Sequence, residues 1–256
     1  MSRKSHSVAE TIEIGDRGDT GPIAVTSLKE SRERLGRAEK SRNTRQMVMG
    51  TGFLGLLAAG WVFPLIGYFI PLCMLLGIGV ALFRGRTWCN WLCPRGSFAD
   101  AFLKMLSPGR KIPEAFRGLP LRIGVITFLM AMLTYQIVRL WPDFYAIGGF
   151  FVLLLSITTG VGLLLGLVWH QRTWCYICPI GTMSNWVGIN RRPLAMERES
   201  CTACGRCAKV CPMQLAPYQM KDAESMAHRG DCLKCRLCTE SCPKSALSFE
   251  AGQVRG

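Results

Sequence analysis

Residues 46–83 read QMVMGTGFLGLLAAGWVFPLIGYFIPLCMLLGIGVALF, a run without one charged side chain. As a single helix this run would extend ~57 Å, nearly twice the ~30 Å hydrocarbon core of a bilayer. One straight crossing is excluded, and Pro64, Gly67 and Pro71 fall in its middle. The stretch is therefore expected to fold as two short membrane spans, 47–65 and 69–83, joined by a tight turn. Two more apolar stretches follow. Residues 119–140 carry only Arg122 and Arg139, near the ends, where long side chains reach toward the headgroups. Residues 146–169 carry no charge at all.

The flanks set the expected orientation. The segments 28–45 and 84–118 are rich in Lys and Arg, whereas the short connection after Leu140 adds none. By the positive-inside rule the tail, the 84–118 loop and everything after His170 belong in the cytoplasm. The expectation is a multi-pass protein of the bacterial inner (cytoplasmic) membrane, with four spans and both termini cytoplasmic. Residues 1–45 form a polar basic tail, in which Ser27–Arg45 reads as a solvated helix beside anionic lipid headgroups. A secretory signal peptide is not expected, because the polar region before the first apolar run is too long.

The composition agrees. The chain has 256 residues, 49% of them apolar and 19% charged, with 31 Lys+Arg against 17 Asp+Glu and a net charge of +14. Global disorder is excluded by the apolar content, and the low charge fraction points toward membrane. The basic excess lies at the expected membrane surface, so nucleic acid is not an expected partner. No nucleotide-binding fingerprint, Ser/His/Asp arrangement or paired-carboxylate site is evident.

Twelve of the thirteen cysteines fall into four spaced groups, each ending in Cys-Pro. Cys201-x2-Cys204-x2-Cys207-x3-Cys211-Pro212 is repeated as Cys232-x2-Cys235-x2-Cys238-x3-Cys242-Pro243. This is the bacterial ferredoxin run written twice, in which the fourth cysteine ligates the other cluster. One [4Fe–4S] cluster is thus assigned to Cys201, Cys204, Cys207 and Cys242, and a second to Cys232, Cys235, Cys238 and Cys211. A pair of zinc ribbons would not need four cysteines per run in this register. Residues 195–256 form a separate ferredoxin domain, too small to be held by an apolar core alone.

The other two groups make an internal repeat of the membrane domain, 46–194. Arg86-Thr-Trp-Cys89-Asn-Trp-Leu-Cys93-Pro94-Arg-Gly96 matches Arg172-Thr-Trp-Cys175-Tyr-Ile-Cys178-Pro179-Ile-Gly181, with one residue fewer between the cysteines. Each copy follows a returning span at the cytoplasmic face. The expected architecture is an α-helical four-span bundle of two pseudo-repeated helix pairs, followed by an α+β double-cluster ferredoxin domain. Cys89, Cys93, Cys175 and Cys178 supply the four thiolates that a third cluster or a soft metal needs. Redox-active dithiols and a purely structural turn are the alternatives. Cys73 reads as buried packing. His170, at the membrane surface, is a candidate for a quinone headgroup site.

The two boxes combined with the double ferredoxin run resemble the NapH/NosR/CcoG group of membrane-bound polyferredoxins, the NapH type most nearly. The resemblance covers residues 47–250. It implies quinol as substrate, oxidised in the membrane, with clusters relaying electrons to a partner redox protein of ferredoxin-like or cytochrome c type. The alternatives are a cupric reductase or metal-cofactor assembly factor of the CcoG kind, since soft thiolates select Cu(I), or a non-catalytic redox-sensing anchor. The second box has C-x2-CP where the group has C-x3-CP, and the outward turn near Ile66–Ile70 is tighter than usual. The flavin-bearing domain of the NosR type and the extra C-terminal domain of the CcoG type are absent from this sequence.

Overall fold

The structure, a computed structural model, describes residues 25–189, 191–219 and 231–249. The first part of the expected tail lies outside these residues. Helix α1 runs Val25–Val62 without interruption. No proline stands between Pro22 and Pro64, so nothing breaks the backbone where the charged half meets the apolar half. The basic stretch and the first apolar stretch are thus one continuous element across residue 45. Pro64–Tyr68 forms a 3₁₀ turn, and α2 follows at Phe69–Arg84.

Short helices then carry the first box: α3, Trp88–Trp91, and α4, Pro94–Ala101. Two long apolar helices follow, α5, Leu119–Leu140, and α6, Phe144–Val168, the latter capped by Asp143, whose carboxylate accepts from the N–H groups of Tyr145 and Ala146. The second box repeats the first as α7, Trp174–Ile177, and α8, Pro179–Gly188. In the C-terminal domain come β1, Leu194–Met196, α9, Arg206–Lys209, α10, Leu237–Ser241, and β2, Leu247–Phe249. The two strands pair antiparallel, Ala195 opposite Ser248.

Three helical stretches among the described residues are long and apolar enough to cross a membrane: Pro64–Arg84, Leu119–Leu140 and Phe144–Val168. The apolar half of α1, a fourth span in the sequence reading, is not among them. At ~1.5 Å per residue its charge-free stretch is shorter than a full hydrocarbon core. Lipid is the natural solvent for the outer faces of these helices, since α5 leaves Phe128, Tyr135 and Val138 exposed. At the end away from the boxes, Ile147, Phe150 and Phe151 pack with Tyr68, Ile70 and Leu133.

Candidate functional site

Each box opens a helix on its Cys-Pro pair. Cys93 and Cys178 are the N-cap residues of α4 and α8, and Pro94 and Pro179 stand at the first helical position, where the missing N–H costs nothing. The Cys93 sulfur accepts from the Gly96 N–H at 3.4 Å. The boxes then cross-brace each other. Arg172 of the second box donates to the Cys89 carbonyl of the first at 3.2 Å, and Arg86 of the first donates to the Cys175 carbonyl of the second. This exchange requires the glycines. A Cβ on Gly96 would stand 3.0 Å from Arg172 Nη1, and one on Gly181 2.6 Å from Arg86 Nη2.

Two buried carboxylates hold the arginines. Asp100 accepts from Arg172 at 2.8 and 2.5 Å, from Gln46 at 2.8 Å and from Arg42. Asp231 accepts from Arg122 at 2.9 and 2.7 Å, from Arg86 at 3.1 Å and from Asn185 at 3.0 Å. Burial opposes ionisation of Asp100, but the charges and hydrogen bonds of Arg172, Arg42 and Gln46 override it and hold its carboxyl down at about 2. Arg42 is thus a buried ligand of the box region and not a solvated tail residue. The sequence reading missed it, together with Arg86, Arg172, Asp100 and Asp231. The shared RTWC opening carried a signal for Arg86 and Arg172; nothing local marks the two aspartates.

All four box thiols, those of Cys89, Cys93, Cys175 and Cys178, line one cavity of about 170 Å³. Its remaining wall is mostly apolar, with Phe69, Ile70, Leu129, Leu133 and Leu155 from the long helices, and it includes Cys73. Burial pushes the Cys89 thiol up against the opposing pull of Arg86. Arg86, Arg95 and Arg172 also line this space. Arg95 lies 4.4 Å over the Trp174 ring and donates to Thr158, with no carboxylate partner among the described residues. Here Arg42, Arg86, Arg95, Arg122 and Arg172 share only Asp100 and Asp231. Such a surplus of buried cation calls for negative charge in the cavity.

His170 is not in this wall. Its Nδ1 accepts from the Arg172 backbone N–H at 3.2 Å and its carbonyl takes the Thr173 N–H and hydroxyl. Burial, with Arg172 and Lys104 adding to it and Asp100 opposing, lowers its imidazole to about 4, so it is neutral at pH 7. No three Cys, His, Asp or Glu side chains among the described residues converge tightly enough to hold a single ion.

The ferredoxin runs form two further four-thiol sites. Cys201, Cys204, Cys207 and Cys242 line one cavity, and Cys211, Cys232, Cys235 and Cys238 line another. The runs curl identically: left-handed residues recur at Ala203 and Lys234, at Gly205 and Arg236, and at Gln214 and Ser245. Such turns aim successive N–H groups inward and make a cradle for anions, as where Lys234 N–H meets Cys232 Sγ at 3.4 Å. Burial pushes the Cys211 thiol up to about 12 and the Cys232 thiol up to about 11. Bare, they would stay protonated; a bound metal deprotonates such thiols outright. The donor set and the cradles fit iron–sulfur clusters.

The second of these sites abuts the boxes. Cys211 and Leu233 pack with Cys89, Cys175 and Tyr176. The Tyr176 hydroxyl donates to the Met213 carbonyl, and Gln214 bridges the Ile112 N–H and the Arg110 carbonyl, each at 2.9 Å. Among the described residues, the first site is walled by residues between Met196 and Leu247.

Comparison with known proteins agrees with this arrangement. A family described as "4Fe-4S binding domain" matches residues 66–113 and again 148–194, one match per box. A family described as "4Fe-4S dicluster domain" matches 194–250. The methylamine utilization ferredoxin-type protein MauN of Methylorubrum extorquens is 28% identical over 255 residues, covering 81% of this chain and 86% of that protein. The ferredoxin-type protein NapH of Haemophilus influenzae is 26% identical, covering 66% of this chain and 63% of its own length. The putative electron transport protein YccM of Escherichia coli is 28% identical over 67% of this chain and 53% of its own length. No solved structure matches. With its double ferredoxin domain and duplicated cluster-family match, the chain is homologous to the NapH-type ferredoxin proteins at 25–28% identity and reads with them as an iron–sulfur electron-transfer protein.

Proposed function

We propose that the protein draws electrons from membrane quinol and relays them through iron–sulfur clusters to a partner redox protein. The observation that carries this reading is the distribution of twelve cysteines into three four-thiol cavities running from the apolar helices to the outer end of the ferredoxin domain. The apolar wall of the first cavity suits a lipid-soluble donor. In this reading Cys89, Cys93, Cys175 and Cys178 ligate a third cluster. Cys211, Cys232, Cys235 and Cys238 hold the next, and Cys201, Cys204, Cys207 and Cys242 the last, nearest the partner. Bound clusters supply one-electron carriers, so a quinol that releases two electrons and two protons is emptied in two steps. The chain's own residues do the rest. Buried arginines favour the thiolate forms, the apolar wall excludes water, and the crossed arginine–carbonyl bonds hold the two boxes together.

The membrane arrangement in this reading has four spans, with the apolar half of α1 as the first, in the bacterial inner membrane with both termini cytoplasmic.

Anaerobic purification with iron analysis and EPR tests the reading. Roughly twelve irons per chain are expected for three cubes and roughly eight for two. A quinol analogue should reduce the clusters under single-turnover conditions. Intact clusters that no quinol reduces would refute the proposed donor, and eight irons would remove the third cluster.

A further inference from the structure

The two boxes repeat closely enough for their electrostatic shells to be compared position by position. Arg172 in the first half-site corresponds to Arg86 in the second. Arg42, which donates to Asn90 at 3.1 Å, corresponds to Arg122, which lies 5.4 Å from the centre of the Tyr176 ring. Asn90 and Tyr176 each follow the first cysteine of their box. Seven residues after Cys93 stands Asp100, the carboxylate that the first pair of arginines shares; seven residues after Cys178 stands Asn185, which carries no charge. The second pair shares Asp231, a residue of the ferredoxin domain that immediately precedes Cys232 and whose carboxylate takes the Asn185 amide hydrogen at 3.0 Å.

We propose that Asp231 is the docking key of the ferredoxin domain: the membrane unit leaves its second half-site one carboxylate short, and seating the domain supplies it. With the domain seated, Arg86 and Arg122 are buried, at 2% and 6% exposure, as is Asp231 at 1%. Burying the two guanidinium groups without that carboxylate is strongly unfavourable, so seating depends on Asp231 and not on apolar contact alone. Seating also fixes register: Cys232 adjoins Asp231, so the site of Cys211, Cys232, Cys235 and Cys238 is brought against Cys89 and Cys175. Asp231 is a positioning residue, acting on the clusters through the arginines.

The experiment uses the full chain purified anaerobically, with Asp231→Asn and the exchange variant Asp231→Asn/Asn185→Asp, which moves the carboxylate to the position Asp100 holds in the first half. Asp231→Asn should speed proteolytic release of the C-terminal domain by at least about tenfold. It should also raise the midpoint potential of one cube in an EPR titration, because two uncompensated guanidinium groups favour the more negative, reduced cluster. The exchange variant should restore the potential, but release should stay faster than in the parent, because the carboxylate then belongs to the membrane unit whether or not the domain is seated. Release and potential unchanged in Asp231→Asn would overturn the proposal, and so would an exchange variant that releases the domain as slowly as the parent. If Asp231→Asn does not accumulate, recovery of yield in the exchange variant supports the key and continued failure overturns it. The proteolysis arm is independent of which thiols ligate which cluster and of quinol as donor; only the potential arm rests on the ligation proposed above.

Discussion

Gly96 and Gly181 stand where any side chain would strike an arginine that is itself pinned to a buried carboxylate. An added methyl at Gly181 would meet Arg86 Nη2 at 2.6 Å and the Cys175 carbonyl at 3.0 Å, and neither group is free to retreat. Gly181→Ala should cost about 1–3 kcal/mol, read as a lowered Tm in detergent, whereas Gly36→Ala, with open space around it, should cost nothing. Asp100 gives a pH signature. Its carboxyl is held at about 2, below an unfolded value of ~3.9. Its contribution, on the order of 2–3 kcal/mol, is therefore complete above pH ~4 and is lost as pH falls toward 2. Asp100→Asn should lack that acid-side decline and be weaker than the parent at neutral pH, measured by helical circular dichroism. The eight ferredoxin cysteines were legible because spacing alone defines a ferredoxin run. Asp100 and Asp231 were not: each finds its arginines tens of residues away in the chain, and no local pattern records that distance.

α1 shows what sequence patterning misses at the next scale. The charge boundary after Arg45 reads as the edge of a membrane, and it is tempting to end an element there. Solvent preference changes at that point, but backbone preference does not, since helix continuity depends on the absence of proline and of a capping stop. The continuous helix places Arg42 and Gln46 on one face, both on Asp100. Thr44→Pro, at an exposed position between them, should therefore cost ~3 kcal/mol or more and reduce helix content. A hinge at residue 45 would tolerate it. The proposed orientation is tested in the charged half of α1 and at the start of α6. A membrane-impermeant thiol label should reach Tyr145→Cys in intact cells but reach Ser41→Cys only after lysis, each read against the parent chain. Labelling of the Ser41 variant in intact cells would reverse the topology.

For the molecule as a whole, the internal repeat was readable in sequence, and so was the idea that both boxes serve one place. What the repeat could not reveal is how they are joined. Each box's arginine holds the other box's first cysteine by its backbone carbonyl, so damage to either half is felt by both. The four thiols also share a single cavity. If the four thiols ligate one centre, as proposed, that centre loses its function when any ligand is lost, and a second loss adds nothing. Cys89→Ser and Cys175→Ser should each abolish reduction by quinol, and the double variant should be no worse. Independent sites would instead give effects that add in free energy and multiply in rate. The two ferredoxin cubes should keep their EPR signals in all three variants, because their eight ligands lie elsewhere. Cys207→Ser should behave in the opposite way. It removes a ligand from the site farthest from the boxes, so quinol should still deliver electrons to the nearer centres while transfer to an external acceptor stops. Loss of both reactions in Cys207→Ser, with the other clusters intact, would mean that electrons do not pass along the three sites in this order.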